Sequence, residues 1–233
     1  MAARGLIVDL DDTLYPERRF LLSGFAAVAG EAERLFEVPR QEAFAVLVRA
    51  LRAGHRSTAL QALCATFDID PIMIPEFVDV IREHRPRLSL RRDARRLLAR
   101  MRRAGWRVGL LTNGLPGVQA RKVAALGLAP LLDHVIYACE HGDGRGKPDP
   151  AAFRAAIVRL GVQPERCVFA GDDPWCDIAG ARRAGLWSIR IRRGRFAHAE
   201  VSESCEADLV VATLREIPDA AEALVDYAAV YVS

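Results

Sequence analysis

Six short apolar runs, separated by segments long enough for helices, constrain the fold of this 233-residue chain most strongly. Nearly continuous apolar strands that alternate with helices are typical of a parallel sheet covered on both faces, because each crossover places a helix against the sheet. We therefore predict an α/β fold with a doubly wound parallel sheet. The predicted strands are GLIVDL (5–10), RVGLLT (107–112), HVIYA (134–138), CVFAG (167–171), WSIRI (187–191) and DLVVA (208–212).

Helices are predicted between the strands, where apolar residues recur at helical spacing and a glycine often follows the last turn. They fall at about 90–104, 118–126, 149–160, 174–184 and 214–227. The alternation breaks after the first strand, because the next stretch is too long for a strand-to-helix loop. It contains four helical stretches and no convincing buried strand, at 25–36, 40–51, 57–67 and 74–84. We predict an inserted helical subdomain at 16–87 and a core domain formed by 1–15 and 88–233.

Composition narrows the class of protein. An apolar fraction of 51% is ample for a packed core, and no apolar run approaches the roughly 20 residues of a membrane span. The net charge is only +3, and the arginine-rich stretch 91–103 has the periodicity of a solvated helix face. Five scattered cysteines without a CxxC pair suggest reduced thiols. We expect a cytoplasmic protein that binds neither membrane nor nucleic acid.

Polar side chains follow several predicted strands at their carboxyl ends, where a doubly wound sheet binds its ligands. Carboxylates that crowd together repel, and burying them unpaired costs several kcal/mol each, so a cation is expected among them. The strand ends, with the loop after the third strand, supply Asp9, Asp11, Asp12, Thr13, Thr112, Asn113, Lys147, Asp172, Asp173 and Asp177.

These residue types suit phosphoryl transfer. Mg²⁺ prefers oxygen ligands, and we predict that it is bound by Asp9, the carbonyl of Asp11 and Asp172. When Mg²⁺ and Lys147 neutralise the phosphate, a carboxylate can attack phosphorus and form an aspartyl-phosphate. Asp9 ends the buried strand and is the predicted nucleophile, while Asp11 is the predicted general acid and base. Thr112 is predicted to bind the phosphoryl oxygens.

Asn113 is predicted to bind the phosphoryl oxygens beside Thr112, with help from backbone N–H groups of the adjoining turns. The remaining candidates Thr13, Asp173 and Asp177 are given supporting roles.

Four motifs resemble those of the haloacid dehalogenase-like (HAD) hydrolases, in the same order and at similar spacing along the whole chain. They are DLDDT (9–13), LLTNG (110–114), GKPDP (146–150) and GDDPWCDIAGA (171–181). The resemblance implies a Rossmann-like core, in which Asp9 is the nucleophile and Asp11 the acid/base. It also implies that Thr112 and Lys147 stabilise the phosphoryl group and that Asp172 completes the Mg²⁺ shell.

The resemblance extends to the supporting residues and to the insert. Asp177 would orient a metal-bound water or Lys147, and the helical insert is similar to the C1 cap of the family, which closes over the substrate. Asp173 departs from the commonest pattern, which has a small hydroxyl residue there, and is a candidate for a further metal or water ligand.

The predicted function is a Mg²⁺-dependent phosphomonoesterase that hydrolyses a small phosphorylated metabolite. The DLDDTLY stretch (9–15) resembles a phosphatase branch of the family, whereas its phosphomutases usually carry DxDGV and its 2-haloacid dehalogenases DxYGT. A sugar phosphomutase, a dehalogenase and a non-catalytic phosphate-sensing module remain the alternatives. A monomer and a homodimer fit the sequence equally well.

Overall fold

The computed structural model describes residues 3–231, and six strands in it form one parallel sheet. The order across the sheet is β3-β2-β1-β4-β5-β6, and every pairing is parallel. This confirms the predicted doubly wound α/β fold. The strands are β1 (Gly5–Val8), β2 (Arg107–Thr112), β3 (His134–Tyr137), β4 (Cys167–Gly171), β5 (Trp187–Ile191) and β6 (Leu209–Val211).

The central strands are the most buried, as a sheet covered on both faces requires. All residues of β1 and β4 are buried, whereas the edge strands β3 and β6 are partly exposed. In the register of the sheet, Val8 is aligned with Leu110 of β2 and with Ala170 of β4. The carboxyl ends of three neighbouring strands therefore meet at one edge.

Among residues 3–231, five α-helices accompany the sheet in the same compact unit, which contains 3–17 and 89–231. The helix α5 (Arg92–Arg103) buries an apolar stripe and exposes its arginines, as its periodicity predicts. The segment predicted as one helix at 174–184 begins as a π-helical turn, Pro174–Ile178, which is followed by the α-helix α8 (Ala179–Arg183). The five helices are α5 (Arg92–Arg103), α6 (Pro116–Ala125), α7 (Pro150–Leu160), α8 (Ala179–Arg183) and α9 (Ile217–Tyr231).

Arg18–Leu88 form a second compact unit with a hydrophobic core of its own. Its helices are α1 (Arg18–Phe36), α2 (Arg40–Arg52), α3 (Ala59–Phe67) and α4 (Ile74–Glu83), so the four predicted helical stretches are confirmed. The start of α1 lies seven residues before the predicted one. Gly24 explains this difference, because a Cβ there would lie 3.0 Å from Ile81 Cγ2, so the glycine permits close packing against α4. Within residues 3–231, no helix is both long and apolar enough to cross a membrane.

Candidate active site

A buried lysine lies between two carboxylates at the carboxyl edge of the sheet. The ammonium nitrogen of Lys147 lies 2.6 Å from Asp9 Oδ1 and 2.6 Å from Asp177 Oδ1, and it also donates to the carbonyl of Leu111 at 3.2 Å. Burial alone would lower the pKa of Lys147, but the negative charges of Asp177 and Asp9 outweigh it and raise that pKa. Lys147 is therefore positively charged between the two carboxylates.

One cation does not balance the carboxylates gathered here. Asp9, Asp172 and Asp177 each offer an oxygen within 4.8 Å of the others, and all three residues are buried. Burial, followed by the charges of Asp9 and Asp177, raises the pKa of Asp172 to about 9. Burial is also the main cause that raises the pKa of Asp9, to about 7, in spite of Lys147. Such a donor set fits a divalent cation, which would supply the missing positive charge.

The cluster contains both carboxylates that were predicted as metal ligands, and one more aspartate. Asp9 and Asp172 are part of it, as predicted, and Asp177 joins them in addition to its contact with Lys147. Thr13 is fully buried, and its hydroxyl donates to Asp172 Oδ1 at 3.4 Å. The structure therefore brings two of the three supporting residues, Thr13 and Asp177, into direct contact with the acids and the lysine.

Asn113 holds the loop that carries Lys147. Its Oδ1 accepts from the backbone N–H of Lys147 at 2.7 Å, and its Nδ2 donates to the carbonyl of the same residue at 2.9 Å. Gly146 makes this pairing possible, because its φ is +79° and a Cβ there would lie 2.5 Å from Asn113 Oδ1. The amide predicted to bind phosphoryl oxygens is thus engaged with the backbone, and its observed contacts position Lys147.

A second buried lysine binds Asp11. The nitrogen of Lys122 lies 2.9 Å from each carboxylate oxygen of Asp11, and the hydroxyl of Tyr15 donates to Asp11 Oδ1 at 2.5 Å. Gln119 completes the set, because its Nε2 donates to Asp11 Oδ2 at 3.0 Å. Burial would raise the pKa of Asp11, but the charge and hydrogen bonds of Lys122 outweigh it and lower that pKa. The carboxyl of Asp11 is therefore charged in this state.

Gln119 also orients the hydroxyl of Thr112. A carboxylate can only accept, so the side of Gln119 that faces Asp11 must be its NH₂ group. The same nitrogen donates to Thr112 Oγ1 at 2.5 Å. The hydroxyl of Thr112 accepts this bond, which leaves its proton to be donated elsewhere.

Two other acids of the motifs have local roles. Asp12 adopts a left-handed conformation, with φ +57°, and its Oδ1 accepts from the backbone N–H of Glu17 at 2.9 Å. Asp173 Oδ1 accepts from the backbone N–H groups of Trp175 and Cys176, at 2.9 and 3.0 Å. Asp173 thus caps the helical segment that begins at Pro174. Capping explains why an acid occupies this position, for which a role as a further metal or water ligand is predicted from the sequence.

A cleft of about 160 Å³ opens above this centre. It is small, and most of the residues that line it are polar or charged, so it suits a compact charged group rather than a large apolar ligand. The cleft is lined by Asp9, Asp11, Asp12, Glu17, Thr112, Asn113, Lys147, Asp172, Asp173, Cys176, Asp177, Arg195 and Phe196. All but three of these lining residues, Glu17, Arg195 and Phe196, belong to the four sequence motifs.

The family model for haloacid dehalogenase-like hydrolases matches residues 3–185. The chain belongs to the haloacid dehalogenase-like hydrolases. A phosphoserine phosphatase from Thermus thermophilus is 35% identical, and the match covers 91% of this chain and 96% of that protein. A glyceraldehyde 3-phosphate phosphatase from Methanocaldococcus jannaschii is 27% identical, over 93% of this chain and 96% of that protein.

Solved structures agree with the HAD fold. HAD-hydrolase YfnB from Bacillus subtilis, bound to magnesium, is similar with a TM-score of 0.65 at 18% identity, covering 95% of this chain and 99% of that one. A 2-haloacid dehalogenase from Pseudomonas syringae pv. Tomato DC3000 has a TM-score of 0.64 at 27% identity, covering 95% and 98%. The fold is therefore shared by proteins named as phosphatases, hydrolases and dehalogenases.

Three residues of this HAD site were missed from the sequence. Gln119 and Lys122 lie on α6, three positions apart and beyond the second motif, and Tyr15 follows the first motif. A signal for one of them was present in the sequence, since only two of the 33 lysines and arginines are lysines. Both lysines, Lys122 and Lys147, are buried against carboxylates. No comparable signal marks Gln119 or Tyr15.

Proposed function

We propose that this HAD hydrolase is a Mg²⁺-dependent phosphomonoesterase that hydrolyses a small phosphorylated metabolite through an aspartyl-phosphate on Asp9. The protein is a phosphatase of its family, since relatives that match nearly the whole chain are named phosphoserine phosphatase and glyceraldehyde 3-phosphate phosphatase. The observation that carries the finer proposal is the buried group of Asp9, Lys147 and two further aspartates at one cleft.

Asp9 has the placement that a nucleophile needs. Its backbone N–H donates to the carbonyl of Ala170 at 2.9 Å, which fixes the residue to the neighbouring strand β4. Its Oδ1 accepts from Lys147, whereas no hydrogen bond to Oδ2 is formed within the described part of the chain, residues 3–231. Oδ2 is therefore assigned the attack on phosphorus, which forms the Asp9–phosphorus bond as the bond to the leaving oxygen breaks.

The metal would be held by Asp9 and Asp172, with the carbonyl of Asp11 as the further ligand and Asp177 beside them. Bound Mg²⁺ supplies positive charge that neutralises the phosphoryl oxygens and favours nucleophilic attack. Lys147 adds a fixed positive charge beside Asp9. The hydroxyl of Thr112 accepts from Gln119, so its own proton can be donated to a phosphoryl oxygen. Asn113 keeps Lys147 in place through two hydrogen bonds to its backbone.

Asp11 is assigned the proton transfers. In the first half-reaction its protonated form gives a proton to the leaving alkoxide, and in the second its charged form takes a proton from the water that attacks phosphorus. The charged form is the one held by Lys122 in this structure. Residues 16–87 are assigned to a C1-type cap, as the family resemblance implies, and we propose that this segment selects the substrate.

The test is phosphate release from a panel of phosphorylated metabolites, measured with Mg²⁺ and with EDTA. Asp9→Asn should abolish turnover, because an amide is a poor nucleophile. Asp68→Asn is the matched control, since it makes the same chemical change in an exposed residue of the helical unit. Full metal-dependent turnover by Asp9→Asn would contradict the proposal.

The same panel addresses the other candidates. Isomerised rather than dephosphorylated product would favour a phosphomutase, and absence of turnover despite Mg²⁺ binding would favour a sensing module. The dehalogenase candidate is tested by halide release from chloroacetate without metal, which we expect to be absent. Asp11 argues against dehalogenation, because the family resemblance places a tyrosine at that position in the dehalogenases.

A further inference from the structure

Lys122 is a buried cation outside the four motifs. Its side chain is only 6% exposed, and its ammonium group lies 2.9 Å from both carboxylate oxygens of Asp11. The chain uses arginine at nearly all of its basic positions, so lysine at this one is a marked departure. A lysine ammonium is compact and carries its charge at one point, whereas a guanidinium is larger and planar. Lys122 therefore places a compact positive charge within hydrogen-bond distance of both oxygens of the Asp11 carboxylate.

Gln119 joins the same carboxylate to the phosphate-binding side of the cleft. Residues three apart on a helix share a face, so Gln119 and Lys122 approach Asp11 together from α6. The Nε2 of Gln119 donates both to Asp11 Oδ2, at 3.0 Å, and to Thr112 Oγ1, at 2.5 Å. One amide group thus sets the position of the predicted acid/base relative to the residue predicted to bind the phosphoryl group.

Together with Tyr15, these contacts leave Asp11 little freedom to rotate. Its Oδ1 accepts from Tyr15 and Lys122, and its Oδ2 accepts from Gln119 and Lys122. Proton transfer in a transition state requires a donor held at hydrogen-bond distance in one orientation. These contacts fix the orientation of the Asp11 carboxylate before substrate arrives, and the carboxyl serves as the donor once it has taken up a proton.

We propose that Lys122 and Gln119 are positioning residues, which hold the Asp11 carboxyl in the orientation that serves the leaving group. The inference rests on the proposed phosphatase function and goes beyond it, because it assigns a role in one step of the reaction to two residues outside the motifs. Lys122 acts through Asp11, and Gln119 acts through both Asp11 and Thr112.

A buried ion pair by itself is weak evidence for either stability or catalysis, since apolar replacements are often tolerated. A role limited to packing would lower turnover of all substrates by the same factor. A role in positioning the acid would instead depend on the leaving group. Alkoxides need a proton as they leave, whereas p-nitrophenolate is stable without one. In the first half-reaction, which kcat/KM reports, only alkyl phosphates therefore depend strongly on Asp11 as an acid.

The experiment compares Lys122→Met with the wild-type protein on an alkyl phosphomonoester, such as glycerol phosphate, and on p-nitrophenyl phosphate. General acid catalysis contributes about 10² to 10⁴-fold, so we expect kcat/KM for the alkyl ester to fall by about 10²-fold or more. The aryl ester should lose less than about tenfold by the same reasoning. Methionine keeps an unbranched side chain of similar length in the buried position.

The matched control is Val123→Ala, which removes a buried apolar group from the same helix next to Lys122. It should lower the stability of α6 without favouring either substrate. If Lys122→Met does not fold, Gln119→Leu and Tyr15→Phe take its place, and each should lower kcat/KM for the alkyl ester more than that for the aryl ester.

A double-mutant cycle completes the test. If Lys122 acts through Asp11, then Lys122→Met should have no further effect on the alkyl ester once Asp11→Asn is present. Equal losses on both esters, or a full effect of Lys122→Met in the Asp11→Asn protein, would overturn the inference while the phosphatase proposal stands. Failure of the wild-type protein to release phosphate from both esters and from the whole metabolite panel would overturn both.

Discussion

Replacement of Asp172 by asparagine should stabilise the protein when divalent cations are removed. Burial, together with the charges of Asp9 and Asp177, raises the pKa of Asp172 from its ordinary 3.8 to about 9. At pH 7 the folded protein therefore holds a proton on Asp172 that the unfolded chain has released. Taking up that proton at pH 7 costs free energy of folding. Asparagine is close to the protonated acid in shape and needs no proton, so folding of the variant does not carry this cost.

The magnitude follows from the two pKa values. Each pH unit above the ordinary pKa costs about 1.4 kcal/mol, which gives a ceiling of about 4 kcal/mol at pH 7. Folding raises the pKa of this carboxyl, so its contribution to the free energy of unfolding is most favourable below pH 3.8. That contribution declines as the pH rises from 3.8 to about 9. A gain of only about 1 kcal/mol would raise Tm by about 2–4 °C for a chain of this size.

The assay is thermal unfolding in EDTA, followed by circular dichroism at several pH values. Asp173→Asn is the matched control, because it makes the same change one residue later, where the carboxylate caps a helical segment and asparagine caps nearly as well. Added Mg²⁺ should reduce the advantage of the variant: at a hundredfold excess over Kd, the wild-type protein gains about 2.7 kcal/mol, and Asp172→Asn gains little. The reasoning is refuted if Asp172→Asn is no more stable than the wild type in EDTA, or if Asp173→Asn gains as much.

Three further changes test other parts of the structure. Lys147→Met removes the cation shared by Asp9 and Asp177, and should lower the free energy of unfolding by about 3–5 kcal/mol in a urea titration; a loss below about 1 kcal/mol would contradict the buried pairing. Gly146→Ala places a Cβ against Asn113, so kcat should fall about 10²-fold while the circular dichroism spectrum is unchanged; unaltered kcat would show that the Lys147 loop tolerates displacement. Burial would raise the pKa of Asp93, but hydrogen bonds from Arg193 and Arg91 lower it to about 2. Asp93→Asn should therefore cost about 1–2 kcal/mol at neutral pH, and the difference from wild type should vanish as the pH falls from about 4 to about 2; a difference independent of pH would argue against this ion pair.

The fold was predictable because its signal is local. Strands buried on both faces are nearly continuous apolar runs, and β1 and β4 are buried throughout. The start of α1 was less predictable, since Gly24 is a poor helix former and its value lies in contact with Ile81 of another helix. The local pattern thus predicts whether a segment is a helix or a strand, whereas the residue at which it begins or ends depends on packing partners far along the chain.

The candidate site was predictable only in part, for the same reason. Side chains at strand ends meet at one edge of a parallel sheet, which explains why Asp9, Lys147 and Asp172 could be grouped from spacing alone. Lys122 contacts a residue 111 positions away from within a helix, where its sequence neighbours give no hint of Asp11. Asn113 and Asp173 were correctly placed at strand ends, but which hydrogen bonds they make depends on the turn that each adopts.

The most direct test of the central claim is to locate the phosphoryl group during turnover. The wild-type protein would be mixed with Mg²⁺ and a radiolabelled phosphomonoester, quenched rapidly in acid, digested, and its labelled peptide identified by mass spectrometry. The account predicts label on the peptide that contains Asp9, and none in Asp9→Asn. Phosphate release by the wild-type protein without any labelled Asp9, or label on another residue, would contradict the assignment of Asp9 as the nucleophile.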